Sequence, residues 1–202
     1  CIGGTFCPSD GFLLPDVVYQ EGARRARALG ATILSSCGVV GAQRVNSRIT
    51  GLVTEKGLLE ADLFVDCTNA WSEELAVRIG AEVLPVAPLK RYLWFVKRDG
   101  DMTDAQFADM PLIVEPTGVY CRPENPRTLL MGWGHPAEPE RGFAFADQDV
   151  IDPDFAHDAG IDGVPFEVWA RLAEAIPPIG DFAGVTSTAC GYYGTTPDHN
   201  PF

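Results

Sequence analysis

The sequence is short of positive charge: 15 lysines and arginines face 28 aspartates and glutamates, a formal net charge of −13 at pH 7. Neutralising a phosphate backbone needs a basic face, so nucleic acid is excluded as a partner. No apolar run reaches about 18 residues, so no helical membrane span is expected. A basic start followed by an apolar core is also missing, and no secretory signal is read. The six cysteines (Cys1, Cys7, Cys37, Cys67, Cys121, Cys190) form no CxxC pair and have no histidine at metal-ligand spacing. Zinc and a disulfide framework are therefore not expected, and a reducing cytoplasm is the expected location. The three histidines, His135, His157 and His199, stand in loop-like sequence and form neither a metal site nor a triad. Internal repeats are absent.

What is present suits a globular protein. The chain has 202 residues, 46% of them hydrophobic and 21% charged, enough for a core in one domain or two small ones. It opens at Cys1, with Ile2-Gly3-Gly4-Thr5-Phe6 already reading as mid-protein, and stops at Pro201-Phe202. Both ends read as cut.

Periodicity and turn chemistry divide the chain. Residues 2–6 read as a short strand, and Pro8-Ser9-Asp10-Gly11 as a turn. A helix is predicted from Leu14-Pro15-Asp16, with Val17, Val18, Gly22, Ala26 and Leu29 at helical spacing, ended by Gly30. Arg24, Arg25 and Arg27 then lie on its solvated face. Strands are expected at 31–34 and 38–45, and 49–54 pairs with 58–59 across Glu55-Lys56-Gly57 as a hairpin. Residues 61–89 are the most telling stretch: a strand at Leu63–Val65, a small-residue turn at Cys67-Thr68-Asn69-Ala70, then an amphipathic helix from Trp71. A strand ending in a tight turn at a helix start is where α/β proteins bring backbone N–H groups to a phosphate.

From Val83 the texture changes to short strands separated by Pro, Gly and Asn, at 83–86, 91–96, 112–114, 119–122 and 128–131, as in an antiparallel sheet. Thr103 caps a short helix to Met110. Residues 136–163 read as a long exposed connection. A helix over 166–176 puts Phe166, Trp169, Leu172 and Ala173 on one face before Pro177-Pro178 stops it, and 186–193 is a last strand. Tyr120 on its strand would offer a hydroxyl to a carboxylate, and Arg122 would project to the same face. The bland alternatives are a strand-to-helix turn at 67–71 and a cross-strand aromatic beside a surface Arg at 120–122.

The order acidic residue, hydrophobic strand, small turn, Ala-Trp-Ser, helix, Gly, Pro-Val-x-Pro resembles the D-amino-acid-oxidase-like flavoproteins, which include glycine and sarcosine oxidases and dimethylglycine dehydrogenase. Two further stretches are similar to that family: Val119-Tyr120-Cys121-Arg122-Pro123 with Leu129 to Gly132, and Cys190 to Pro201 with its Thr196-Pro197-Asp198. The resemblance implies an α+β protein, an α/β flavin-domain remnant joined to an antiparallel-sheet substrate domain. Residues 16–82 and 187–202 would be the partial FAD domain, and 1–15 and 83–186 the substrate domain. It implies FAD contacts at Val39, Val40, Cys67, Thr68, Asn69, Trp71, Thr196, Pro197 and Asp198, and substrate contacts at Tyr120, Arg122 and Tyr193. No catalytic acid or base and no metal ligand is implied, since the flavin carries the chemistry.

Departures are visible. Asn69 stands where the family usually has glycine, Tyr193 where some members place a carboxylate-binding arginine, and Leu130 where sarcosine oxidases carry a lysine. The strand–GxGxxG–helix opening and the acidic residue that grips the ribose are missing. The expectation is a fragment of an enzyme that oxidises the C–N bond of an amino acid or N-methylated amine. FAD belongs to the full-length protein and is not held by this chain alone. Exposed sheet edges imply self-association. The alternative is a non-catalytic domain that keeps the fold and binds a small molecule or a partner.

Overall fold

The computed structural model describes residues 3–134 and 163–198, and the chain divides into two units, Cys1–Asp66 with Glu74–Val83 and Cys67–Glu73 with Leu84–Phe202. In the first unit, Pro15 opens helix α1 (Pro15–Ala28), Asp16 sits in its first turn and Arg25 and Arg27 in its last, an arrangement the helix dipole favours. Glu21 pairs with Arg24 at 2.6 Å and Arg25 at 2.7 Å, and these two guanidinium groups hold its carboxyl down at about 2. No residue of α1 is buried, so local pairing rather than packing supports this helix among the described residues.

A three-stranded antiparallel sheet follows, β1 (Val39–Val45), β2 (Arg48–Thr54) and β3 (Gly57–Glu60), in that order. The β2–β3 hairpin is the expected one. Its turn is closed by the Thr54 hydroxyl, which donates to the Gly57 carbonyl at 2.7 Å and accepts from the Lys56 N–H at 3.2 Å. Helix α2 (Ser72–Ile79) starts after a 3-10 turn at Asn69–Trp71. The expected strands at 31–34, 63–65 and 83–86 are not formed, nor is the described part of 2–6. Leu63 and Val65 are 79% and 75% exposed. The apolar run has strand composition, but a strand exists only in a ladder, and nothing among the described residues pairs with it.

The second unit is built on a five-stranded antiparallel sheet in the order β5 (Ile113–Val114), β6 (Val119–Asn125), β7 (Thr128–Trp133), β4 (Ala87–Lys97), β8 (Val185–Thr195). Period-2 alternation sends Trp94 and Val96 of β4, Val119 and Cys121 of β6, and Leu129 and Met131 of β7 to one face. Helix α4 (Val164–Ala175) lays Val168, Trp169 and Leu172 on that face, and α3 (Asp104–Ala108) adds Phe107. The Thr103 cap is completed by Gln106, whose backbone N–H donates to the Thr103 hydroxyl at 3.2 Å while its side chain accepts from the Thr103 N–H at 2.9 Å. Helix with antiparallel sheet is the α+β class expected. The 136–163 connection and all three histidines lie outside the described residues apart from Gly163, which caps α4.

Cys121 sits at the centre of this core with no exposed surface, and burial pushes its thiol up to about 12. The thiolate is the reactive form, so Cys121 is expected to resist iodoacetamide in the folded protein while the exposed Cys67 and Cys7 are alkylated. Mass spectrometry of peptides before and after urea unfolding checks this. A folded-state pKa above the unfolded value means the contribution is intact below about 9 and is lost as pH rises from there towards 12.

Candidate functional site

The 67–71 turn and the last strand, far apart in sequence, meet in the second unit. Trp71 sets its ring edge-on against Tyr192, with centroids 5.8 Å apart and planes at 87°. Asn69 has φ +52°, the left-handed conformation that asparagine tolerates better than other residues with a side chain. Its side chain lies against Gly194 of β8, where a β-carbon would fall 3.1 Å from Asn69 Cγ, closer still to Oδ1, and 3.0 Å from Val86 Cγ1. Glycine at 194 is therefore the complement of asparagine at 69. The turn keeps its shape because the strand beneath it has no side chain there. Cys67, Thr68 and Asn69 are exposed, while Ala70 and Ser72 are buried and seat the turn. After β8 the Thr196 hydroxyl donates to Asp198 Oδ1 at 2.9 Å, and Pro197 and Asp198 are exposed.

This pairing carries a prediction. Gly194→Ala is expected to cost about 1–2 kcal/mol by overpacking, and Asn69→Gly in the same chain to recover most of it. Urea unfolding of the two single variants and the double variant measures the coupling, and additive effects would count against the contact.

Tyr192 and Tyr193 are successive residues of β8 and serve opposite faces. Tyr193, 56% exposed, lies on the sheet face away from α4, with Arg91, Leu93 and Phe95 of β4 and with Tyr120, Arg122 and Leu130. The Tyr120 ring lies over Gly132, its register partner on β7: a β-carbon at 132 would be 2.9 Å from Tyr120 Cε2 and nearer still to Cζ and Oη. Burial first, and then Tyr193, push the Tyr120 hydroxyl above its ordinary value, with Arg91 acting the other way. The phenol is a neutral donor at physiological pH. Arg122 pairs with Glu124 at 2.6 Å and also donates to the Pro123 carbonyl at 2.9 Å. Leu130, only 6% exposed, is the apolar floor of this face.

Sequence reasoning named Tyr120, Arg122 and Tyr193 but passed over Arg91. The signal was there: in Arg91-Tyr-Leu-Trp-Phe-Val96 the residues alternating with the core-facing Tyr92, Trp94 and Val96 must face the other way. Val39 and Val40 lie in the first unit. Val40 is the extra residue of a β-bulge between the pairs Val39–Thr54 and Gly41–Val53, and the Val39 carbonyl accepts from Arg78 at 3.0 Å. No group of His, Cys, Asp and Glu suited to a metal ion occurs among the described residues.

Comparison with known proteins gives these residues a setting. The sequence model of the DAO family, described as "FAD dependent oxidoreductase", matches residues 1–202. Mitochondrial sarcosine dehydrogenase of Homo sapiens is 26% identical over 208 aligned residues, which cover 98% of this chain and 21% of that protein. Among solved structures, L-proline dehydrogenase from P. horikoshii superimposes with a TM-score of 0.68 at 21% identity, over 93% of this chain and 45% of that one. Glycine oxidase from Geobacillus kaustophilus gives 0.60 at 22% identity, over 89% and 42%. The chain thus spans about a fifth of that sarcosine dehydrogenase and under half of each solved structure.

Proposed function

Because the chain belongs to the DAO family of FAD-dependent oxidoreductases, we propose that it carries the substrate-facing sheet of an enzyme that oxidises the C–N bond of an amino acid or N-methylated amine. The observation that carries this reading is the open sheet face on which the neutral Tyr120 hydroxyl stands beside Tyr193 and Arg91. Two phenols and a guanidinium over an apolar floor suit a small anion whose other end is an amine.

The turn residues Cys67, Thr68, Asn69 and Trp71, with Thr196, Pro197 and Asp198, are suited to hold FAD. The fit rests on the exposure of residues 67–69 and on Asn69, whose side chain is taken up by the space at Gly194. Held there, FAD would supply the hydride acceptor for oxidation at the carbon next to nitrogen. The chain's own residues orient and shield. Tyr120 donates its proton to a substrate carboxylate without losing it, since burial keeps the phenol protonated. Leu93, Phe95 and Leu130 present an apolar surface that excludes water and favours the neutral amine. With Leu130 where the resembled sarcosine oxidases carry a lysine, the reading favours an electron acceptor other than dioxygen.

Anaerobic bleaching of the flavin in the full-length, FAD-loaded protein by sarcosine, N,N-dimethylglycine, glycine or L-proline tests the reading, with dye reduction and oxygen uptake measured side by side. Bleaching with faster dye reduction is expected. Bound flavin that none of these amines bleaches would favour the non-catalytic alternative.

A further inference from the structure

Among the described residues, every edge strand of the two sheets but one has a feature that discourages a further strand from adding to it. In the smaller sheet, β1 is interrupted by two register shifts and carries Arg44, and β3 is four residues long and ends in Glu60. In the larger sheet, the outer strand β5 has two residues. The opposite edge, β8, has eleven, with no proline and no charged residue. Its register shift lies near its start: Phe95 pairs with Ser187 and Val96 with Val185, which leaves Thr186 as the extra residue and Ser187–Thr195 in regular register. β8 is paired with one strand of the sheet, β4. The backbone groups along its outer side are a template for one more strand.

Charge selects the occupant. A chain of net charge −13 repels its own copy, so two copies approach best where neither presents a charge, and β8 is the long edge that presents none. A charged peptide would find nothing along β8 to pair with. Two β8 strands related by a twofold axis run antiparallel, and neutrality on one side is then neutrality on both. The regular stretch Ser187–Thr195 is centred on Gly191. Its fullest overlap with itself therefore sets Gly191 opposite its own counterpart and Tyr193 opposite the partner's Ala189. A β-carbon at 191 would meet nothing within 4 Å, so the axis falls on open space. A large side chain meets a small one on either side of it, and pairing would cover Tyr193, which is 56% exposed. We propose that β8 is the interface for a second copy of this chain, two β8 strands pairing antiparallel about Gly191 so that the two five-stranded sheets become one. A strand of the partner then borders the face that holds Tyr120 and Tyr193 in each copy.

The test is sedimentation velocity of the full-length protein over a concentration series, and a dimer is expected. Gly191→Lys and Gly191→Glu each set two like charges opposite one another and should each weaken dimerisation by about tenfold or more. An equimolar mixture of the two variants should pair again, because lysine then faces glutamate. Self-pairing at this residue makes one substitution repel itself and attract its opposite, which general loosening of the sheet would not do. A monomer at every concentration overturns the proposal. So does a dimer that neither substitution weakens, or a mixture that pairs no better than its components. If neither variant folds, deuterium exchange of the unaltered protein decides: Ser187–Thr195 should exchange more slowly above the dimerisation midpoint than below it. Exchange that does not change with concentration would mean that the edge is open or is covered by another segment of its own chain, and either result overturns the proposal.

Discussion

Gly100→Ala is expected to lower the unfolding free energy of the second unit by about 3 kcal/mol or more, and Gly180→Ala by a similar amount. At these two glycines two backbones cross in contact. A β-carbon at 100 would lie 2.5 Å from the Ile179 carbonyl carbon, and one at 180 would lie 2.5 Å from Gly100 Cα and 2.9 Å from the Asp99 carbonyl carbon. In both places the obstacle is main chain, which cannot rotate away as a side-chain tip can. Gly180 adds a second cost, since φ 83° with ψ −159° is open to glycine and almost closed to other residues. The crossing is tied to the core: Asp99 bridges to Gly180, the Gly180 carbonyl accepts from Trp169 Nε1 at 3.3 Å, and Ile179 is 1% exposed. A loss of this size is a large part of the roughly 5–15 kcal/mol that holds a domain together.

All four tryptophans, Trp71, Trp94, Trp133 and Trp169, belong to the second unit, so fluorescence during urea or thermal unfolding reads that unit alone. A fall in midpoint of about 10 °C is expected for either variant. Gly191→Ala is the contrast. A β-carbon there meets nothing within 4 Å, and the change should be neutral or slightly stabilising. Equal losses at 100 and 191 would mean that the crossing is not what makes glycine necessary.

What the sequence disclosed follows the range of the interaction. The 49–59 hairpin was legible because Glu55-Lys56-Gly57 writes its turn locally, and Gly57 takes φ +121° there. Helix α4 was legible because its apolar spacing and Pro177-Pro178 are local too. The Leu63–Val65 strand was misread for the converse reason: its composition is local, but its ladder would have to come from elsewhere. The insertion of β4 between β7 and β8 joins segments separated by long stretches of chain, and no short pattern announces it. In the same way Asn69 read as a defect in a glycine turn until Gly194 stood beside it. Tyr120 was found through a motif, whereas Arg91 required the register of β4 against both neighbours.

Gly132→Ala is expected to drive the Tyr120 ring off the sheet and to weaken binding of N,N-dimethylglycine by about tenfold or more, the worth of a hydrogen bond to a charged group. A β-carbon at 132 would overlap the Tyr120 ring itself, 2.9 Å from Cε2 and closer to Cζ, so turning the hydroxyl alone cannot relieve it. The ring must swing toward solvent, losing the burial that is the main cause of its raised pKa. The Tyr120 titration, followed by 13C NMR, should therefore move down towards the ordinary value of about 10. Sign and site together separate this from unfolding, because the core on the other face, with Met131 and Cys121 fully buried, is untouched by a methyl group pointing away from it. Tyr120→Phe serves as the complementary variant: it keeps the ring over Gly132, removes only the donor, and should weaken binding without moving stability by more than about 1 kcal/mol. In a Tyr120→Ala background the alanine at 132 meets no ring, and its cost should fall away. A Gly132→Ala protein that keeps both the Tyr120 titration and the affinity of the parent would show that the glycine is not the seat of the tyrosine, and that the open face does not depend on it.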